Sequence, residues 1–241
     1  MPTADPAAQR LLLDLAEVDQ AADAAAHRRA SLPELTVIAD GATRIDDLSG
    51  RLVLAQAEVG DLDRAGRKLD DEIDAVRARS SRDKQRLISG AVPAKELESL
   101  QSEVESLARR QATLEDEALE LMERREGADA AMVQAQTELD AAMAEVDDAS
   151  TSRDEQFAAI DAELADLAGR RATLVAGVPQ DLLALYERIR GGGKVAAGAL
   201  TGERCGACRM ALDRQSLEEI RTAAADSVQR CPECSAILVR G

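Results

Sequence analysis

Four cysteines, and no others, lie in the last 37 residues of this 241-residue chain, as Cys205-Gly-Ala-Cys208 and Cys231-Pro-Glu-Cys234. Two Cys-x-x-Cys pairs separated by 22 residues have the spacing of a four-thiolate tetrahedral zinc site. Each pair aims two sulfurs at one point from a single tight turn, and two such turns complete the shell. With all four positions taken by sulfur the metal is structural, because a catalytic zinc keeps a position for water. Two disulfides and a redox dithiol are the alternatives. The first residues, Met1-Pro-Thr-Ala-Asp-Pro6, have no basic or apolar leader character, and no run of 18 apolar residues suggests a membrane span. The expected compartment is therefore the cytoplasm, where disulfides are rare. No βαβ context surrounds either pair, as a thioredoxin-like motif would need.

The elements that must position these sulfurs are helical. Aromatic content is 1%, with Phe157 and Tyr186 alone, whereas 32% of residues are charged. Ala, Leu, Glu, Asp and Arg at such density point to long helices and coiled coil. No proline falls between residues 94 and 178. Apolar residues step by three and four along two rows, one from Ile45 to Leu87 and one from Leu97 to Ala149, with a stutter between Ile160 and Leu164. This 3.5-residue repeat is the seam of a left-handed coiled coil. Ser89-Gly-Ala-Val-Pro93 separates the rows and reads as a turn. The simplest arrangement is an antiparallel hairpin, in which facing residue numbers have a constant sum. Sums of 180 and 187 both fit the rows. Two helices of about 80 residues would make a rod of roughly 120 Å. Pro33, Gly41 and Gly50 are candidate breaks in the first helix.

The expected organisation is thus mainly α: a coiled-coil hairpin over residues 1–177 with its tip near 88–94, a short helix and Gly-rich joint over 178–193, and a C4 zinc ribbon over 194–241. Within the last segment, 194–200, 228–230 and 237–240 read as strands. Ser216-Leu-Glu-Glu219 reads as a capping box that opens a short helix. So few elements bury too little apolar surface to fold unaided, so metal binding and folding should be one event.

Net charge is −16, yet residues 194–241 carry seven basic and six acidic residues, so the acid belongs to the helices. Arg204, Arg209, Arg214, Arg221 and Arg230 make the ribbon one candidate contact surface for a partner or nucleic acid. Arg77, Arg79, Arg82, Lys84 and Arg86 beside the hairpin tip make a second. The negative rod and the lack of aromatic stacking platforms argue against nucleic acid. The single histidine, His27, has no nucleophile or metal cluster around it in the sequence. No Gly-rich phosphate loop or nucleophile elbow is present, so neither catalysis nor a small-molecule substrate is expected.

The chain resembles the bacterial C4-type zinc-ribbon, coiled-coil proteins. The likeness is carried by Ser89-Gly90 and Lys95–Glu103 at the tip and by Leu182–Arg190. It is strongest in Gly202-Glu-Arg-Cys-Gly-Ala-Cys208 and in Cys231-Pro-Glu-Cys234 with Ile237-Leu238. It implies that Cys205, Cys208, Cys231 and Cys234 bind one structural Zn²⁺. It also implies a non-enzymatic adaptor or chaperone-like role, since some relatives resemble adaptors in flagellar and type III secretion, with suggested nucleic-acid binding. Protein partners would dock through the coiled coil. Relatives often place Gly-Arg after the last cysteine, where this chain has Ser235-Ala236. That turn often needs positive φ.

Overall fold

In a computed structural model of the chain, residues 3–90 and 93–240 are described. Ala91 and Val92, at the expected hairpin tip, lie outside them. Helix α1 runs Pro6–Ala30, α2 Pro33–Ile88, α3 Ala94–Ala176, α4 Gln180–Arg190 and α5 Arg214–Thr222. The strands are β1 Ala197–Thr201, β2 Arg204–Cys205, β3 Gln229–Arg230 and β4 Ile237–Val239. The chain divides into two compact units, Met1–Leu35 with Thr151–Gly241, and Thr36–Ser150.

Helix boundaries follow local chemistry. Asp5 caps α1 by accepting the Ala7 backbone N–H at 2.7 Å, with Pro6 in the first turn, where its missing N–H costs nothing. His27, Arg28 and Arg29 in the last turn complement the helix dipole. Of the three candidate breaks only Pro33 acts. It has no N–H to donate and disfavours helical geometry at Leu32, so α1 stops and α2 starts on the proline itself. Gly41 and Gly50 stay inside α2. After α2, Gly90 takes φ +67°, a conformation that favours glycine. The Ile160–Leu164 stutter leaves α3 unbroken.

In the Thr36–Ser150 unit α2 and α3 form the hairpin with the register of sum 187. Leu48, Leu52, Ala135, Leu139 and Ala142 bury together there. Gly41 meets Val146, and a Cβ on Gly66 would stand 3.8 Å from Leu121 Cδ2. A large side chain thus faces a small one at Gly41, Leu52 and Gly66, while Leu48 stands opposite Leu139. The flanks agree, through Arg44–Glu145 at 3.3 Å, Arg51–Glu138 at 3.0 Å and Arg110–Glu72 at 3.5 Å. These pairs are exposed and screened by solvent, so apolar packing sets the register and charge only supports it.

The other unit is built around a small sheet of order β2-β1-β4-β3. Its central pair is parallel, Ala197 opposite Ile237 and Gly198 opposite Leu238, and β2 and β3 add antiparallel edges. Side chains alternate across a strand, so one face sends Ala197 and Ile237 into a core with Leu12, Leu15, Leu182 and Tyr186. The opposite face sends Leu238 into a second core with Leu217, Ile220 and two of the cysteines. The first core holds α1 and α4 against the ribbon segment. Thr3 bridges Ser227, and Ala4 donates its N–H to Asp226 O at 2.8 Å. Gly191–Gly193 form a turn closed by backbone hydrogen bonds to Glu187, Ile189 and Arg190.

Two details depart from the sequence reading. Asp213, not Ser216, caps α5, accepting the Ser216 N–H at 2.9 Å. Strand β2 is an element the sequence did not suggest, because two residues carry no periodicity.

A charged node ties α1, α3 and α4 together. Asp19 is 3% exposed. It accepts hydrogen bonds from Arg171 Nε at 2.7 Å and from the Tyr186 hydroxyl at 2.8 Å. Arg190 Nε lies 3.1 Å from it, though not aligned for a hydrogen bond. Arg171 also pairs with Glu187. Burial, reinforced by the Asp19 carboxylate, pushes the Tyr186 phenol well above its ordinary range. Removing Asp19 leaves the Tyr186 hydroxyl without its acceptor and takes one carboxylate from Arg171 and Arg190, which keep Glu187 and Asp23. Asp19→Ala should therefore lower stability by about 1–3 kcal/mol, and Tyr186→Phe by about 1–2 kcal/mol, read from denaturant unfolding. Because the folded-state phenol pKa is raised, its contribution is complete below about pH 10 and is lost as pH climbs toward the folded value. As Tyr186 is the only tyrosine, alkaline titration should show no tyrosinate absorbance near pH 10 in the folded protein. In urea the absorbance should appear near pH 10.

Candidate metal centre

The four sulfurs converge. Cys205 Sγ lies 3.9 Å from Cys234 Sγ, and Cys208 Sγ lies 3.9 Å from Cys231 Sγ. All four lie within 4.8 Å of one another. A tetrahedral ion with metal–sulfur bonds of about 2.3 Å requires edges of about 3.8 Å. A disulfide requires about 2.05 Å. The donor set therefore fits one closed, four-coordinate zinc and leaves no open position.

The two knuckles are near-copies. In the first, Arg209 N–H donates to Cys205 O at 2.8 Å and Cys205 N–H to Met210 O at 3.0 Å. In the second, Ser235 N–H donates to Cys231 O at 2.9 Å and Cys231 N–H to Ala236 O at 2.8 Å. The residue after each second cysteine takes positive φ, +63° at Arg209 and +68° at Ser235. The second of these turns therefore makes a demand that glycine meets without strain, and serine meets it here. Burial raises the Cys205 thiol and pushes Cys234 up to about 12, while the Met210 backbone holds Cys208 below the ordinary thiol range. A divalent cation offsets that burial and lets all four sit as thiolates.

Close backbone approach seats the first knuckle on the sheet. Gly206 N–H donates to Ala199 O at 2.8 Å. A Cβ on Gly198 would come 2.4 Å from Ala207 N, and one on Gly206 would come 2.8 Å from Ala199 O. Only glycine permits that contact. Arg240 fixes the far side of the fold. Its guanidinium donates to the carbonyls of Ile220 (3.0 Å), Ala223 (2.6 Å), Ala224 (2.7 Å), Ala225 (3.3 Å) and Ser227 (2.9 Å), closing the C-terminus of α5. Sequence reasoning passed over Gly198 and Arg240. A lone glycine in a strand is the only signal for the first, and nothing local marks the second.

The sequence-selected basic residues divide. Arg204, Arg209 and Arg214 are exposed. Arg221 donates to Gly202 O at 3.0 Å and Arg230 to Ser235 O at 3.0 Å, so both brace the ribbon. Beside the hairpin tip Arg77 pairs with Glu115 at 2.7 Å, Arg79 with Glu103, and Arg86 approaches Asp83 at 3.8 Å. Arg82 and Lys84 form no ion pair among the described residues. The tip is a mixed-charge surface rather than a basic one. His27 is exposed, as are the acid pairs Asp46-Asp47 and Asp147-Asp148. Among the described residues no helix is long and apolar enough to cross a membrane.

Comparison with known proteins places this geometry in a family. Residues 15–194 match the CT398-like coiled coil hairpin domain, and residues 204–238 match the C4-type zinc ribbon domain. The chain is 42% identical over 234 residues to the uncharacterized protein Rv2229c of Mycobacterium tuberculosis, covering 97% of this chain and 96% of that one. A solved structure from Mycobacterium smegmatis aligns with a TM-score of 0.85 at 38% identity, covering 99% of this chain and 100% of the other. CT398 from Chlamydia trachomatis shares the fold, with a TM-score of 0.56 at 16% identity over 98% of this chain and 95% of its own. A long helical hairpin, a small four-stranded sheet and four converging cysteines together make this chain a member of the CT398-like coiled coil hairpin family, with a C-terminal C4 zinc ribbon suited to one structural zinc.

Proposed function

We propose that this chain is a non-enzymatic cytoplasmic adaptor that binds protein partners along its helical hairpin. In this reading Cys205, Cys208, Cys231 and Cys234 ligate one zinc that holds the ribbon rigid. The observation that carries the adaptor reading is apolar surface left over after the seam is filled. Leu119 is 61% exposed and Met122 59% exposed. Three residues apart on α3, they are neighbours on one helix face. Leu54, Val133 and Met143 are exposed as well. Nucleic-acid binding is the weaker reading, since Arg77, Arg79 and Arg86 already face carboxylates.

Three measurements test this. Affinity capture from native cells should recover a protein partner. Leu119→Lys with Met122→Lys should weaken its retention about tenfold or more, with helicity unchanged. Retention that survives the double variant, or that vanishes on nuclease treatment, contradicts the adaptor reading. Elemental analysis should find one zinc per chain, absent after any single substitution of the four cysteines by serine. A stoichiometric Cys231→Ser protein would overturn the ligand assignment. The knuckle backbone gives a third test. Ser235→Gly should raise stability by about 1 kcal/mol by relieving left-handed strain. Gly198→Ala should lower it by about 1–3 kcal/mol by overpacking.

A further inference from the structure

A cleft of about 510 Å³ opens beside the sheet, and none of the four cysteines lines it. It is lined by the first turns of α1, the β1–β2 turn, the end of α5 and Arg240. Arg10, Arg221 and Arg240 all line it, and among the described residues no carboxylate does. In a chain of net charge −16, a concave surface with three guanidinium groups and no acidic side chain among the described residues is an unusual concentration of positive potential.

The cations differ in what they have left to offer. Arg240 spends its terminal N–H groups on backbone carbonyls, so it adds field more than hydrogen bonds. Arg221 is oriented by one bond from its Nη2 to Gly202 O at 3.0 Å and keeps further donors. Arg10 is exposed and makes no hydrogen bond or ion pair among the described residues. Two of the three guanidiniums are thus held in place before any ligand arrives, which lowers the ordering cost of binding. The Gln9 amide beside them is likewise fixed, donating to Ala4 O at 2.8 Å and Ala225 O at 3.2 Å.

From this we infer that the cleft binds a phosphate-bearing small molecule of about nucleotide size. A planar guanidinium fork donates two parallel hydrogen bonds to two oxygens of a phosphate, and several guanidiniums together match the double negative charge that a phosphate carries and a single carboxylate does not. The volume exceeds that of a bare phosphate and lies within the range of small-ligand pockets, about 300–1,000 Å³. Pro6, Leu200, Ala223 and Ala225 give the remaining wall an apolar character that suits the uncharged part of such a ligand. Because α1, β1 and α5 all contribute, occupancy braces the packing of α1 on the ribbon.

The test is calorimetric titration of the full, zinc-loaded chain with ADP, inorganic phosphate, adenosine and a short single-stranded RNA. ADP should bind, adenosine should not, and added salt should weaken the binding. Arg10→Gln and Arg221→Gln should each weaken ADP by about tenfold or more. Arg10 makes no internal bond among the described residues, so its variant should unfold at the wild-type temperature. Inorganic phosphate binding as tightly as ADP would assign the cleft to free phosphate and keep the inferred chemistry. No heat with either phosphate ligand at millimolar concentration overturns the inference. So does equal binding of adenosine, undiminished affinity in Arg10→Gln, or binding of RNA alone.

Discussion

Ile237 and Leu238 are chain neighbours that bury in different cores, and this two-sidedness of β4 is the constraint on which the Cys-bearing unit depends. One face of the sheet has α1 and α4 to cover it. The other has only α5 and the knuckles, whose apolar surface is small. Four sulfurs converging on one point supply what that thin second core lacks. A structural zinc of this kind contributes on the order of 10 kcal/mol, comparable to the whole stability of a small domain. Glycines at 198 and 206 allow the first knuckle to lie directly on β1. A zinc bound there would thereby hold the strand pair on which the helices pack.

The Asp19 node answers a different need. The apolar contacts between α1, α3 and α4 alone could settle in several rotations, since Ala and Leu side chains discriminate weakly and the other ion pairs there, Arg28–Glu163 and Arg29–Asp161, are exposed. A buried carboxylate that must meet Arg171 and Tyr186 at once admits one arrangement. Such a group adds little net stability over an apolar replacement, but losing one partner is costly. Specificity of docking is the account we favour for its presence.

The hairpin and the metal site were legible in the sequence because each rests on a short-range rule. The heptad rows gave both helices and a choice of two registers. Only the facing of Gly41 with Val146 and Gly66 with Leu121 resolved that choice, since both sums satisfied the periodicity. The cysteine spacing gave the metal centre, and the positive φ of Ser235 bears out the glycine-like demand of that turn. What stayed hidden was long-range. Nothing near Asp19 in the sequence announces Tyr186, 167 residues away. Arg240 reads as a terminal charge until the α5 carbonyls are seen around it. Nor did the ribbon segment alone show that the sheet face bearing Ala197 and Ile237 is covered by the chain's own first helix. The capping signal at α5 misled by three residues because Asp213 and Ser216 are both good caps, and the helix begins at the earlier one.

The metal centre and the α1 core are coupled through one sheet. Amide hydrogen exchange on the intact chain, with and without a zinc chelator, tests it most directly. Removing the metal should abolish protection in the knuckles and also weaken it in residues 8–16 of α1 and in α4, while the 36–150 hairpin stays protected. Protection of α1 and α4 that is unchanged in the metal-free chain would contradict the account.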